Sequence, residues 1–157
     1  MIFIKLIIKN LYNRYRFFAN QFQLSFLRFL GSKIHSSVTA YGKFSWIGNP
    51  KNLILGENVT INEGVHFNLF GEIEIKDNVR ISTYVQFHTS KLNRHLNNRE
   101  HIVDSILIGR NSWIASGVVL SPGVEVSEDC TILANSVVTK SLKESATYAG
   151  IPAKIIK

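Results

Sequence analysis

A chain of 157 residues that is 45% hydrophobic and 18% charged suits one ordinary domain and is too short for two well-packed ones with a linker. Its near-zero mean hydropathy excludes both a disordered and a membrane-spanning composition. The formal charge of +7 sits at the front: residues 1–56 hold eight basic residues and no acidic one, whereas from Glu57 onward 10 basic residues face 11 acidic.

Residues 1–30 lack Gly and Pro, and Lys5, Lys9, Asn13, Arg16, Asn20 and Gln23 recur there at spacings of three and four. Ile4, Ile7, Leu11, Tyr15, Phe18, Phe22, Phe26 and Phe29 recur in the same way on the other side. The spacing predicts an amphipathic helix that ends near Gly31, a natural C-terminal cap. Its Phe-rich stripe is expected to pack on the rest of the protein or a partner subunit, or to lie in the interface of an anionic membrane. The run MIFIKLII is broken by Lys5 and followed by no small-residue cleavage site, so neither a signal peptide nor a bilayer span is expected and the chain is placed in the cytoplasm.

From residue 34 the period becomes six. Ile34 and Ala40 begin it; Leu55, Ile61, Phe67 and Ile73 continue it; a two-residue slip resets it at Ile75, Ile81 and Phe87. After an interruption of about 20 residues it resumes as Ile108, Ile114, Leu120, Val126, Ile132 and Val138. Four residues after these come Val59, Val65, Val79, Val85, Ser112, Val118, Val124, Cys130 and Ser136, with turn formers such as Asp77-Asn78 and Pro122-Gly123 between. Neither a helix nor a flat strand repeats at six. One large and one small inward residue per six describes a short strand plus a turn, the signature of a parallel β-helix. Coils of about 18 residues are expected at 34–51, 55–72, 75–92, 108–125 and 126–143, with an excursion loop at about 89–107 and a tail at 144–157. Cys130, the single cysteine, falls on the small inward position and reads as a buried core residue, without disulfide or multi-cysteine metal chemistry.

The segment IGRNSWIASGVVLSPGVEVSEDCTILANSVVTKSL, followed by YAGIPAKIIK, resembles the C-terminal half of the hexapeptide-repeat acyltransferases, close to the maltose, galactoside and surface-polysaccharide O-acetyltransferases. The resemblance covers residues 34–157. It implies an all-β fold, a left-handed parallel β-helix carrying the N-terminal helix, and a homotrimer with active sites between subunits. It also implies acetyl-CoA as acyl donor, a sugar or glycan as acceptor, no metal, and a role in surface-polysaccharide biosynthesis.

Carried over position by position, the resemblance sets Trp113, Ala115, Ser116 and Gly117 at the thioester end of the CoA arm and Ala134 beside the pantetheine. Thr139 and Lys140 fall near the nucleotide, and Lys154, with Lys157, near its phosphates. Leu133-Ala134-Asn135 and Ile114-Ala115-Ser116-Gly117 depart from the usual Gly-Ala-Gly and Ile-Gly-x-Gly, small changes in bulk that leave a groove. The family's essential His lies just before or within an excursion loop, here VQFHTSKLNRHLNNREHIVDS at 85–105. His88 directly follows the inward Phe87 and is the favoured general base. His95 is its rival and His101 a weaker one, because relatives place the His two to four residues later, where Ser90 and Leu92 stand here. His35 and His66 read as surface or packing residues.

Other classes remain open. An amine acceptor would make the chain an N-acetyltransferase of an amino sugar. A non-enzymatic trimeric scaffold or membrane adaptor would use the solenoid and the basic helix alone, without need of WIASG, SVVTK and GIPAK together. A γ-class carbonic anhydrase would need two histidines separated by four residues, and His88, His95 and His101 are separated by six and five. No nucleic-acid motif accompanies the positive charge.

Overall fold

The computed structural model describes residues 2–93 and 100–156, with helix side chains from Ile7 onward except Lys9 and Asn13. The repeat folds into a three-sided solenoid of parallel strands. The first face stacks Lys33–Ile34, Leu53–Leu55, Ile73–Ile75, Ile106–Ile108 and Glu125–Val126. The second stacks Thr39–Ala40, Thr60–Ile61, Arg80–Ile81, Trp113–Ile114 and Thr131–Ile132, and continues with Thr147–Ala149 and the antiparallel Lys154–Ile155. The third stacks Ser45–Gly48, His66–Leu69, Gln86–His88, Val119–Leu120 and Val137–Val138.

Strands of two to four residues have almost no intrinsic stability; the ladder of inward side chains holds them. Leu55, Ile75, Ile108 and Val126 lie one above another on the first face. Ile61, Ile81, Ile114, Ile132 and Tyr148 do so on the second. Phe67, Phe87, Leu120 and Val138 do so on the third, the two phenyl rings stacked at 5.1 Å. The small residues of the repeat fill the corners: Val59, Val79, Ser112 and Cys130 are all buried. The left-handed backbone between the first and second faces falls on Asn58, Asn78, Asn111 and Asp129, φ 54–60°, residue types that tolerate it. Their side chains form a ladder, each Asn Nδ2 donating to the Oδ1 one coil further on at 3.1–3.2 Å.

The irregularities of the repeat all fall at one corner. On the second face Ala40, Ile61, Ile81, Ile114 and Ile132 are vertical neighbours, so successive coils take 21, 20, 33 and 18 residues. Within each coil the steps from first to second face and from second to third stay at six. The extra residues enter between the third face and the first, as the 3-10 turn Pro50–Asn52, the stretch 70–72 and the long excursion after His88. The slip at Ile73 and Ile75 is one such insertion, with both side chains inward on a single strand. The excursion opens with Ser90–Leu92, paired antiparallel to His101–Val103.

The N-terminal segment forms one helix, Ile2–Phe29, closed by a Schellman motif: Gly31 has φ +101°, Ser32 N donates to Leu27 O and Gly31 N to Arg28 O, both at 3.0 Å. Its orientation corrects the expectation that the Phe-rich stripe packs on the chain's own body. Arg16, Asn20 and Gln23, assigned to the polar side, turn toward the solenoid together with the fully buried Leu24 and Leu27. The reason is the sheet edge. First-coil amides such as Thr39 N and Tyr41 N already donate to the second coil, whereas alternate groups of that coil point out of the open end with no strand to pair. The helix supplies the partners: Gln21 Nε2 donates to Ala40 O (2.8 Å), Gln23 Nε2 to Phe44 O (3.1 Å), and Arg28 to Ile34 O and His35 O (3.0 and 2.7 Å). A polar face therefore covers the end of the prism, and Tyr15, Phe18, Phe22, Phe26 and Phe29 are left exposed.

Candidate functional site

The third face and its two corners hold most of the residues singled out above. His88 ends Gln86–His88, and because Phe87 is inward it faces out, half-buried, at the root of the excursion. The root is held firmly. Thr89 is completely buried, its Oγ1 donates to Asn68 O at 2.6 Å and accepts from Gly71 N at 2.9 Å. One coil down the ladder sets Asn68 beneath His88 and His66 beneath Gln86. Gln86 Oε1 lies 3.0 Å from His88 Nε2, so the carbonyl oxygen accepts the Nε2 proton and leaves Nδ1 as the free acceptor. The His66 ring is 6.4 Å away, with Nδ1 2.9 Å from Ser45 Oγ. Burial, and secondarily the charge of a protonated His66, push the His88 pKa below its usual 6.5. Both effects favour the neutral imidazole.

Ala115, Ser116 and Gly117 form the corner between the second and third faces, directly below Ala134 and Asn135. Thr83 Oγ1 donates to Ser116 Oγ at 3.0 Å, Gly117 N to Thr83 O and Asn135 N to Ser116 O, both at 2.9 Å. Gly117 has φ +71°, the left-handed region that favours glycine, and a Cβ there would stand 2.4 Å from Asn135 Oδ1, so that side chain would have to turn aside. Trp113 lies on the second face between Arg80 and Thr131, its Nε1 donating to Ser82 Oγ at 3.0 Å while 47% of the residue remains exposed.

Thr139 and Lys140 leave the opposite corner, after Val138. The stacking of Phe87, Leu120 and Val138 puts Thr139 two ladder steps from His88, about 10 Å at the usual strand spacing. Lys154 is exposed on the terminal strand, antiparallel to Thr147–Ala149. One chain therefore gathers Ala115, Ser116, Gly117 and Ala134 at one corner, puts His88, Thr139 and Lys140 along the third face toward the other, and leaves Trp113 on the adjoining face.

The rivals separate. His101 pairs with Leu92 in the hairpin and is exposed, while His95 and Lys157 lie outside the described residues. His35, 2.8 Å from Ser37 Oγ through Nδ1, is on the surface. Cys130 is buried, its Sγ donates to Glu144 O at 3.3 Å, and burial pushes its thiol pKa up, the reverse of a nucleophile's environment. Among the described residues no group of three His, Cys, Asp or Glu side chains is placed to hold a metal.

Sequence reasoning passed over Asn68 and Gln86 and set His66 apart as surface or packing. Yet Val65-His66-Phe67-Asn68 and Val85-Gln86-Phe87-His88 are the same four positions of successive coils, a correspondence readable once the local coil length of 20 is known.

The family pattern "Bacterial transferase hexapeptide (six repeats)" matches residues 105–140. The chain is 31% identical over 135 residues to the galactoside O-acetyltransferase of Escherichia coli, covering 80% of this chain and 66% of that protein. It is 32% identical over 117 residues to a putative acetyltransferase of Saccharomyces cerevisiae, YJL218W, covering 74% and 57%. The chain thus spans from little over half to about two thirds of these relatives' length. Its fold superposes on a hexapeptide-repeat-containing acetyltransferase of Vibrio cholerae, VCA0836, with TM-score 0.78 and 27% identity, covering 88% of this chain and 80% of that one. VCA0836 has also been solved in complex with acetyl coenzyme A.

Proposed function

We propose, from the premise that this chain belongs to the left-handed β-helix acyltransferases built of hexapeptide repeats, that it transfers the acetyl group of acetyl-CoA to a sugar hydroxyl. The carrying observation is His88: a neutral, half-buried imidazole at a rigid loop root, its Nε2 proton directed to Gln86 and its Nδ1 free. His88 Nδ1 takes the proton of the acceptor hydroxyl as that oxygen attacks the thioester carbonyl carbon. Backbone N–H groups stabilise the oxyanion. As the new C–O bond is kept and the C–S bond breaks, the imidazolium returns its proton to the CoA sulfur, restoring neutral His88. Cys130 is too buried to supply a covalent intermediate, which supports direct transfer.

Acetyl-CoA is held, in this reading, with its thioester end near Trp113, Ala115, Ser116 and Gly117, the pantetheine by Ala134, and the anionic nucleotide by Thr139, Lys140 and Lys154. Because these groups lie on two faces and both edges of one prism, the groove needs a second wall, and a homotrimer with active sites between subunits supplies it. The acceptor is a sugar of a lipid-linked or surface glycan. The enzyme works in the cytoplasm, its N-terminal helix free to meet the inner membrane.

Release of free CoA from acetyl-CoA across a panel of nucleotide-sugars and glycans tests the reaction, with mass spectrometry of the product separating ester from amide. Excess CoA is expected to raise the melting temperature, since a ligand bound only by the native state stabilises it. No such rise would sink the reading.

A further inference from the structure

We infer that the Phe-rich face of the N-terminal helix is a docking surface for an anionic lipid bilayer, on which the solenoid stands by its N-terminal end. The helix has already committed one side: Arg16, which pairs with Glu63, and Gln23, Leu24 and Leu27 engage the first coils. The opposite stripe, Ile7, Leu11, Tyr15, Phe18, Phe22, Phe26 and Phe29, therefore cannot fold back on its own prism. It is open, with Tyr15 and Phe22 70% and Phe29 84% exposed. A contiguous apolar stripe of this size marks an interaction site rather than ordinary surface scatter.

Composition and charge select the occupant. An amphipathic helix with Phe and Leu on one face and basic residues on the other lies in the headgroup boundary, where a Tyr ring such as that of Tyr15 is also favoured. Among the described residues no helix is long and apolar enough to cross a bilayer. Residues 1–56 carry eight basic residues and no acidic one; Arg14, Lys33, Lys43 and Lys51 are exposed around the helix and the first coil. Of the carboxylates on the second coil, Glu63 pairs with Arg16 at 2.6 Å and Glu57 lies 3.7 Å from His35 Nε2. A second copy docked face to face would set like charge against like charge, whereas anionic lipid complements it. From Ile7 to Phe29 the described stripe runs about 33 Å along the helix, long enough to lie along a membrane plane. His88 stands on the third coil, two ladder steps above the coil the helix covers, so with about 10 Å for the helix itself its site lies on the order of 20 Å from the surface.

The test is co-sedimentation of the full chain with vesicles of phosphatidylcholine alone and of equal parts phosphatidylcholine and phosphatidylglycerol. Pelleting is expected with the anionic vesicles, reduced by raised salt. Replacing Phe18, Phe22 and Phe26 together by Ser should weaken it at least about a hundredfold without lowering the melting temperature. Lys33→Gln and Lys51→Gln, which leave the apolar face intact, should each weaken it about fivefold. Equal binding to neutral vesicles, or binding to neither kind, overturns the inference. So does a fall of the triple Phe variant to a smaller assembly by light scattering, which would make the face an interface between copies. None of these readouts depends on acetyl transfer.

Discussion

The N-terminal helix and the coils from Ile106 onward obey opposite versions of the same rule. In the coils every sixth residue is apolar and inward, so apolar means buried: Ile108, Ile114, Leu120, Val126, Ile132 and Val138 are sealed from solvent. In the helix Phe22 and Phe29 are outside while Gln21 and Gln23 turn in, bonded to Ala40 O and Phe44 O. The difference lies in what each meets. A coil stacks on coils whose edge groups are paired to it, so only side-chain hydrophobicity is left to sort. The helix meets an open sheet edge, where leaving backbone carbonyls unpaired would cost about 1–3 kcal/mol each, and side-chain amides and a guanidinium outcompete phenyl rings for that position.

The largest expected effect sharpens the division between a solenoid that is all scaffold and a site laid on its surface. His88→Ala should lower acetyl transfer by about 10²–10⁴-fold, measured as CoA release, while urea unfolding stays at the wild-type midpoint. A loss at His95→Ala instead, with His88→Ala near wild type, would move the base into the loop.

Next comes the comparison itself. Ile114→Ala, in the middle of the second-face ladder, should cost about 2–5 kcal/mol in unfolding free energy. Phe22→Ala, a larger truncation on the exposed helix face, should stay within about 0.5 kcal/mol. Similar costs at both positions would mean that the aromatic face is packed in solution.

The pH dependence of kcat/KM is a finer probe. With its pKa below 6.5, His88 is the neutral base above that pKa, so activity should fall as pH drops through a midpoint below 6.5. His66→Gln removes the coulombic effect of that ring and should move the midpoint upward. The move should be partial, because burial is the larger cause and remains. A midpoint that does not respond to His66 would separate the two rings.

The smallest effect belongs to the corner ladder. Asn78→Ala forces an alanine to φ 60° and removes the amide link to Asn58 and Asn111, for a loss of roughly 1–2 kcal/mol, read by urea unfolding.

Much of this architecture could be read directly. The six-residue spacing of Ile, Val and Leu anticipates the three inward ladders, and Gly31 the helix end, because both are local consequences of which side chains tolerate burial or a positive φ. The site was legible in part. The outward position of His88 followed from standing next to the inward Phe87 at the edge of an interruption. The place of Asn68 beneath His88 did not, because that relation is vertical, across 20 residues of chain, and depends on how many residues the preceding corner absorbs; Gln86, two residues before His88 on the same strand, faces the same way by the strand's alternation.

The sequence by itself determined the period, the faces and the inward residues, since hydrophobic burial acts on each residue where it stands. The tertiary structure decided three matters. It set which coil lies above which, through insertions confined to one corner. It set His66 and Asn68 under Gln86 and His88, through that register. It turned the helix polar side in, because the end of a parallel solenoid leaves backbone groups that only the folded chain brings within reach of a side chain.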